Sequence, residues 1–246
     1  MTIKVAVVGA TGRMGKLAID LIQAAQGLSL FAALDSKSEL AETIGADVVF
    51  DVTTPDVSPS VVEHALAHGQ KLLVGTSGWS EHKLAPIAKA LETAGAAAIV
   101  VIPNFSIGSM LATKFSAEAA KFYDSIEIVE AHHAGKVDSP SGTAVRTAEL
   151  IAEARAARTQ PLIPGVGQVA RGQIVDGVPI HSLRLTGVSA KQDVLFGGNS
   201  ELLTISHETT SIQAYAQGII TCLRATATAT GLTVGLQAIV EARTNL

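Results

Sequence analysis

Apolar positions fall into two alternating rhythms over the first hundred residues. Short β-rich runs at 4–9, 28–35, 47–53, 71–76 and 96–103 are bounded by Gly, Asp, Thr or Pro. Between several of them lie longer stretches with helical spacing, at 13–26, 58–68 and 81–93. Strand alternating with helix predicts right-handed crossovers and a mostly parallel sheet covered on both faces. Ligands of such sheets sit at the carboxyl ends of the strands, near the switch in strand order.

After Asn104 the pattern changes. A helical stretch at 106–122 leads into a strand at 125–133, and a second helix starts near Ser141 and runs to about Arg158. A Pro- and Gly-rich segment, 159–182, reads as loop. Strand-like runs follow at 181–186, 193–196 and 201–207, with Gly197-Gly198-Asn199 as the turn between the last two. Neighbouring strands of this kind predict an open sheet separate from the first. The tail from Ser211 reads as helical.

Composition narrows the class. At 246 residues, 48% hydrophobic and 16% charged, the chain is a packed globular protein. A net charge of −4 argues against nucleic acid as a partner. The lone Cys222 cannot form an intrachain disulfide and reads as a small buried hydrophobe in a reducing interior. No signal-peptide pattern and no apolar run of about 18 residues is present. The expected location is the cytoplasm, with no membrane contact.

Two places carry chemistry. "VAVVGATGRMG" sets Gly9, Gly12 and Gly15 directly after the first strand and at the mouth of the first helix. Glycines here allow a tight turn and let backbone N–H groups approach a pyrophosphate, which a helix N-terminus favours. The spacing, G-x-x-G-x-x-G, is less diagnostic than G-x-G-x-x-G; a ligand-free turn is the competing reading. Asp35 closes the second strand, where a carboxylate would accept bonds from ribose hydroxyls; a simple turn-capping role is the alternative. The loops "GTSGW" and "IPNFS" (75–79 and 102–106) end strands on the same edge, where a nicotinamide would lie.

The second place is "EAHHAGKVDSPSGTA", residues 130–144. Adjacent residues on a strand point to opposite faces, so His132 and His133 do not readily chelate one metal, and no third ligand stands at metal spacing. Lys136 puts an ammonium just past the strand, and a positioned His or Lys is a common proton source. "SPSGT" opens a helix that Ser139 or Ser141 can cap, with the Gly142 and Thr143 amides offered to an anion. Taken singly these are a strand end and a helix cap. Together they read as proton donor, cation and anion cradle around a small carboxylate.

These strings, with "PNFSIG", "GVPIHSLRLTG" and "VLFGGNSELLTISHE", resemble the dihydrodipicolinate reductases, also called 4-hydroxy-tetrahydrodipicolinate reductases. The resemblance covers nearly the whole chain, and its short length is similar to the actinobacterial branch. It implies an α/β fold: a Rossmann-like dinucleotide-binding domain, 1–104 with 211–246, and an inserted α+β substrate-binding and tetramerisation domain, 105–210, with a mixed open sheet. It implies NADH- or NADPH-dependent reduction, on the diaminopimelate route to lysine, of the dehydrated form of 4-hydroxy-tetrahydrodipicolinate by a homotetramer. Matching positions give His132 as the catalytic proton donor or acceptor and Lys136 as the second donor. His133, Ser141, Gly142 and Thr143 match dicarboxylate-binding positions. Gly9, Ala10, Thr11, Gly12, Arg13, Met14, Asp35, Gly75, Thr76, Ser77, Ile102, Pro103, Asn104 and Phe105 match cofactor contacts. Trp79 stands where the family usually has Phe.

"GATGRMG" also resembles atypical short-chain reductases, including NADP-sensing regulators. Active members carry Tyr-x-x-x-Lys, but Glu127 follows Tyr123 and Ile219 follows Tyr215 at that spacing. Another small-acid dehydrogenase is the third reading. On cofactor choice, Asp35 followed by uncharged Ser36 favours NADH modestly, against the cations Arg13, Lys16 and Lys37.

Overall fold

The computed structural model describes residues 2–93, 95–156 and 167–244. In chain order the elements begin β1 (Ile3–Val8), α1 (Arg13–Ala24), β2 (Leu28–Leu34), β3 (Val48–Asp51), α2 (Ser58–Ala67) and β4 (Lys71–Val74). Then come α3 (Glu81–Leu91), β5 (Ala98–Val101), α4 (Ile107–Ala120), β6 (Ser125–His133) and α5 (Gly142–Ala154). The series closes with β7 (Gln173–Val175), β8 (Val178–Leu185), β9 (Ala190–Gly198), β10 (Glu201–Thr209), α6 (Ala216–Thr226), β11 (Gly231–Val234) and α7 (Leu236–Thr244). The chain forms two compact units. One comprises the residues up to Ile107 with those from Ile212 on, and the other is Gly108–Ser211.

The first unit holds a six-stranded parallel sheet, ordered β11-β5-β4-β3-β1-β2. Its central strands are buried on both faces, as their unbroken apolar runs require. Val49, Leu72, Val74, Ile99 and Val101 pack under Val61, Val62 and Ala65 of α2 and Ile87 of α3. On the sheet, α6 contacts β3, β4 and β5, and it also packs on α1. The strand order reverses between β1 and β3, which places the crevice beyond their carboxyl ends.

The tail is not wholly helical. Residues 231–234 add β11 in parallel to the edge of β5. Gly231 begins it and Gly235 follows it, both at positive φ, 64° and 91°. A four-residue apolar run is too short to show a period, and the free edge of β5 decides its conformation.

The second unit is a mixed sheet, β10-β9-β6-β8-β7, with β6 and β8 parallel and the other pairs antiparallel. One face packs Ile126, Ile128, Ile180, Val194 and Phe196 against Ala144, Ala148 and Ile151 of α5. The other face leaves Leu183, Leu185 and Leu202 exposed. Part of the segment expected to be loop is a hairpin. β7 and β8 are joined by Asp176-Gly177, both at positive φ (48° and 85°), the geometry of a tight hairpin turn. β8 therefore starts at Val178 rather than 181, and β9 takes in Gly197 and Gly198, leaving the turn to Asn199 and Ser200. The expected helix end near Arg158 and the start of the loop lie outside the described residues. Among the described residues no helix is long and apolar enough to cross a membrane.

Candidate active site

The parallel ladder of the first unit continues past the strand ends and gathers the sequence-marked loops along one edge. Val52 N–H donates to Val8 O at 2.9 Å, Gly75 N–H to Asp51 O at 2.8 Å, and Ile102 N–H to Val74 O at 2.8 Å. Gly9 and Ala10 N–H groups both donate to Leu34 O, at 3.0 and 2.9 Å, which sets the glycine turn beside Asp35. Gly9 sits at φ 92°, and a Cβ there would lie 2.6 Å from Val52 O. At Gly15 a Cβ would lie 2.2 Å from Gly9 O, so only glycine lets α1 start this close to the turn. Gly12 is the N-cap of α1 and brings no side chain to its amides. Thr11, Gly12 and Arg13 are exposed there, with Met14 half-buried.

Asp35 is exposed, and its Oδ1 accepts the Lys37 N–H at 2.8 Å. The carboxylate thus serves a local turn through one oxygen. Gly75 has no room for a side chain: a Cβ would lie 2.9 Å from the Phe105 ring and 3.1 Å from that of Phe50. Those rings meet edge to face, centroids 5.6 Å apart. Ile102 and Phe105 are core residues, so their backbone is what they can offer a ligand. Asn104 accepts the Ser106 N–H at 2.9 Å, while Pro103 and Ser77 are exposed. Thr76 is buried, and among the described residues its Oγ1 has no hydrogen-bond partner. An orphaned buried hydroxyl costs on the order of 1–3 kcal/mol unless a partner arrives. That hydroxyl and the glycine turn at Gly9–Gly15, where Gly12 caps α1 without a side chain, fit a dinucleotide.

In the second unit, His132 and His133 end β6 on opposite faces. The inward face carries Ile126, Ile128 and Glu130, then His132. His132 Nδ1 donates to Glu130 Oε2 at 2.6 Å, so Nε2 is the ring atom left for chemistry. Burial lowers the His132 pKa more than the Glu130 charge raises it, and Lys136 and Arg184 pull it down further. Glu130 is fully buried. Burial alone would raise its pKa, but hydrogen bonds, Arg184's first, hold it below the ordinary carboxylate value. His133 is exposed, and its carbonyl accepts the Lys136 N–H at 3.0 Å in the turn that follows. Lys136 Nζ donates to both oxygens of Asp138, at 2.6 and 2.7 Å, which lowers the Asp138 pKa. Ser141 is the N-cap of α5, its hydroxyl accepting the Ala144 N–H at 3.2 Å. Among the described residues a Cβ built on Gly142 meets nothing within 4 Å beyond its own turn, so the start of α5 is open there. Thr143 follows in the same turn, its carbonyl held by Thr147 Oγ1 at 2.8 Å.

The second unit therefore brings His132, Lys136 and the Ser141–Thr143 cradle into one hydrogen-bonded neighbourhood, with His133 on the other face of β6. Glu130, Arg184 and Asp138, absent from the sequence reading of the site, join them. Among the described residues no three His, Cys, Asp or Glu side chains are grouped to hold a metal ion.

Residues 3–105 match the family described as dihydrodipicolinate reductase, N-terminus, and residues 108–240 match dihydrodipicolinate reductase, C-terminus. The chain belongs to the dihydrodipicolinate reductase family. It is 56% identical over 241 residues to the 4-hydroxy-tetrahydrodipicolinate reductase of Clavibacter michiganensis, covering 98% of this chain and 87% of that one. The Streptomyces griseus enzyme of the same name is 43% identical over 242 residues, 96% of each chain. A dipicolinate-bound dihydrodipicolinate reductase from Paenisporosarcina sp. TG-14 superposes with a TM-score of 0.81. It is 33% identical, covering 97% of this chain and 100% of that one. The family match accounts for both marked regions of the sequence, and the regulator reading is not favoured.

Proposed function

We propose that the chain catalyses NAD(P)H-dependent reduction of the dehydrated form of 4-hydroxy-tetrahydrodipicolinate to tetrahydrodipicolinate, in diaminopimelate and lysine biosynthesis. The observation that carries this reading is the run from Glu130 to Thr143, where a proton donor, a cation and an anion cradle share one hydrogen-bonded turn. The first unit holds the dinucleotide, and the inserted unit, 105–210, holds and protonates the substrate.

When bound, a reduced nicotinamide supplies the hydride. The turn from Gly9 to Met14 offers the pyrophosphate the start of α1; the Gly9 and Ala10 amides are spent on Leu34 O and that of Gly12 on Gly9 O, so they shape the turn. Thr76 Oγ1, with Gly75, Ser77 and the backbone of residues 102–105, receives the polar edge of the cofactor. Gly142 and Thr143 amides, at the positive end of α5, take a substrate carboxylate beside the Ser141 cap; His133, from the other face of β6, is assigned to the dicarboxylate on the family resemblance. His132 moves a proton at Nε2, its Nδ1 being engaged by Glu130. Lys136 Nζ is the second donor, meeting negative charge as it develops.

Asp35 gives NADH a modest advantage over NADPH. The exposed Leu183, Leu185 and Leu202 on the open sheet face support assembly with other copies, as a homotetramer. A net charge of −4 speaks against nucleic-acid partners, and the lone, buried Cys222 fits a reducing, cytoplasmic setting. The deciding assay supplies aspartate semialdehyde, pyruvate and the preceding synthase together and follows NADH or NADPH absorbance. Oxidation dependent on all three components is expected; none with either cofactor would overturn the assignment.

A further inference from the structure

Glu130 has 0% exposure, and a carboxylate so placed stays charged only if donors surround it. Among the described residues each of its oxygens accepts from two nitrogen donors, and Ser182 also acts on the carboxylate. Oε2 takes His132 Nδ1 at 2.6 Å and an Arg184 terminal nitrogen at 2.9 Å. Oε1 takes the other Arg184 terminal nitrogen at 3.0 Å and the Ser141 backbone N–H at 3.2 Å. The plain alternative is a structural ion pair that ties β6 to β8. A buried ion pair adds little net stability over a packed apolar pair, so stability alone is a weak reason for it. Its partners are also not random. One is the ring of the proton donor, and another is the N-cap amide of the anion cradle. The third, Arg184, also donates to Asp138 O at 2.6 Å, and the Asp138 side chain holds Lys136.

We propose that Glu130 is the positioning residue of this site. It fixes the His132 ring with Nδ1–H donated and Nε2 presented, and it ties the Ser141–Thr143 cradle to the same carboxylate. This rests on the reading of His132 as proton donor. The carboxylate also stabilises the imidazolium form, so its charge sets how much of His132 is protonated at a given pH. The opposing charges come from neighbouring elements: Arg184 on β8, and Lys136, itself paired with Asp138, in the turn after β6. On β9, uncharged Ala190 and Gln192 stand opposite His132 and Glu130. The first turn of α5 brings no acid.

The experiment is the pH dependence of kcat and kcat/KM in the unaltered enzyme, Glu130→Gln, Arg184→Gln and His132→Gln, with NADH affinity by fluorescence and folding by circular dichroism. Glu130→Gln keeps the shape and deletes the charge. It is expected to lower kcat at neutral pH by about 10²-fold, a general-acid magnitude. Its alkaline limb should move to lower pH, with NADH affinity unchanged. Arg184→Gln removes the opposing charge and should move the limb to higher pH. A purely structural pair would give neither displacement. Limbs that stay in place in folded Glu130→Gln overturn the proposal, and if that variant does not fold, an unmoved limb in Arg184→Gln does so. Normal turnover in His132→Gln would instead sink the underlying reading of the donor.

Discussion

The indole N–H of Trp79 donates to Ser58 Oγ at 3.2 Å, and Ser58 in turn donates to the fully buried carboxylate of Asp51. Asp51 also accepts the Thr53 N–H at 2.9 Å and the Thr53 hydroxyl at 2.6 Å. The end of β3, the start of α2 and the loop after β4 are thus tied through one acid, and Phe at position 79 could not donate. Trp79→Phe should cost about 1 kcal/mol of stability. It should also raise the KM for NADH several-fold with kcat little changed, because Gly75–Ser77 would be held less firmly. An unaltered KM would show that this bond supports the fold alone.

Lys136 is held by its own backbone as well as its charge, since its N–H donates to His133 O at 3.0 Å. Lys136→Ala therefore removes the ammonium without dissolving the turn. The expected loss in kcat is about 10²–10⁴-fold, with NADH affinity intact. Turnover near that of the unaltered enzyme would end the assignment of Lys136 as second donor.

Gly142 opens α5, and among the described residues a Cβ there would meet nothing within 4 Å beyond its own turn. Alanine there should leave the fold as stable or stabilise it by about 0.4–1 kcal/mol, because it restricts the unfolded chain. Pyridine-2,6-dicarboxylate should nevertheless inhibit about tenfold less well, as the added methyl group crowds the anion. Higher stability with an unchanged inhibition constant would place the carboxylate elsewhere.

The legible and illegible parts of this chain differ in range. Five of the six parallel strands showed in the sequence as apolar runs at 4–9, 28–35, 47–53, 71–76 and 96–103. In β3, β4 and β5 the run reflects burial on both faces, whereas the edge strand β2 is apolar though much of it is not buried. β11 did not, since its conformation is set by the edge of β5, 133 residues earlier in the register that pairs Leu232 with Ile99. The Asp176-Gly177 turn was a readable hairpin signal hidden in a Pro- and Gly-rich stretch. His132, Lys136 and Ser141–Thr143 stood out because they are close in sequence. Glu130 carried half a signal: it follows Ile126 and Ile128 on the inward period of β6, an acid where a hydrophobe is due. What makes it tolerable is Arg184, 54 residues away, and no local spacing rule joins the two.

Stability should fall with pH in two stages. Burial lowers the pKa of His132 and His207, and burial with the nearby His68 lowers that of His64. A folded value below the unfolded one means that the unfolded chain binds more protons, so stability is lost as pH falls below about 6.5. Glu130, Glu127 and Asp138 are also held below their ordinary values, by hydrogen bonds from Arg184, from Arg171 and His181, and from Lys136. For Glu127 and Glu130 these outweigh a burial effect of opposite sign. Their contribution is complete above about pH 4 to 5 and disappears below it. The thermal midpoint should begin to drop on the acid side of neutrality and fall more steeply near pH 4. A midpoint level from pH 7 down to about 5 would contradict the histidine stage.

The proposed preference for NADH rests on the turn after β2. Asp35 Oδ1 is occupied by the Lys37 N–H at 2.8 Å, with the Ser38 hydroxyl at 3.4 Å, which orients the carboxylate. An acid in this place accepts from the ribose 2′-hydroxyl of NAD and repels the 2′-phosphate of NADP. The next residue, Ser36, brings no charge. Arg13, Lys16 and Lys37 are exposed cations that can partly neutralise a phosphate, but such charges act weakly and are screened by salt. A charge-assisted bond to Asp35 is short and less easily screened. Both cofactors should work, with NADH favoured several-fold to tens-fold, on the order of 1–2 kcal/mol. The preference should widen as ionic strength rises, since the cations lose their effect first. Ser36→Arg should reverse or erase it by pairing with the 2′-phosphate. The measurement is kcat/KM for both cofactors at low and high salt, in the unaltered enzyme and in Ser36→Arg. An NADPH preference in the unaltered enzyme would mean that Arg13, Lys16 and Lys37 together outweigh Asp35.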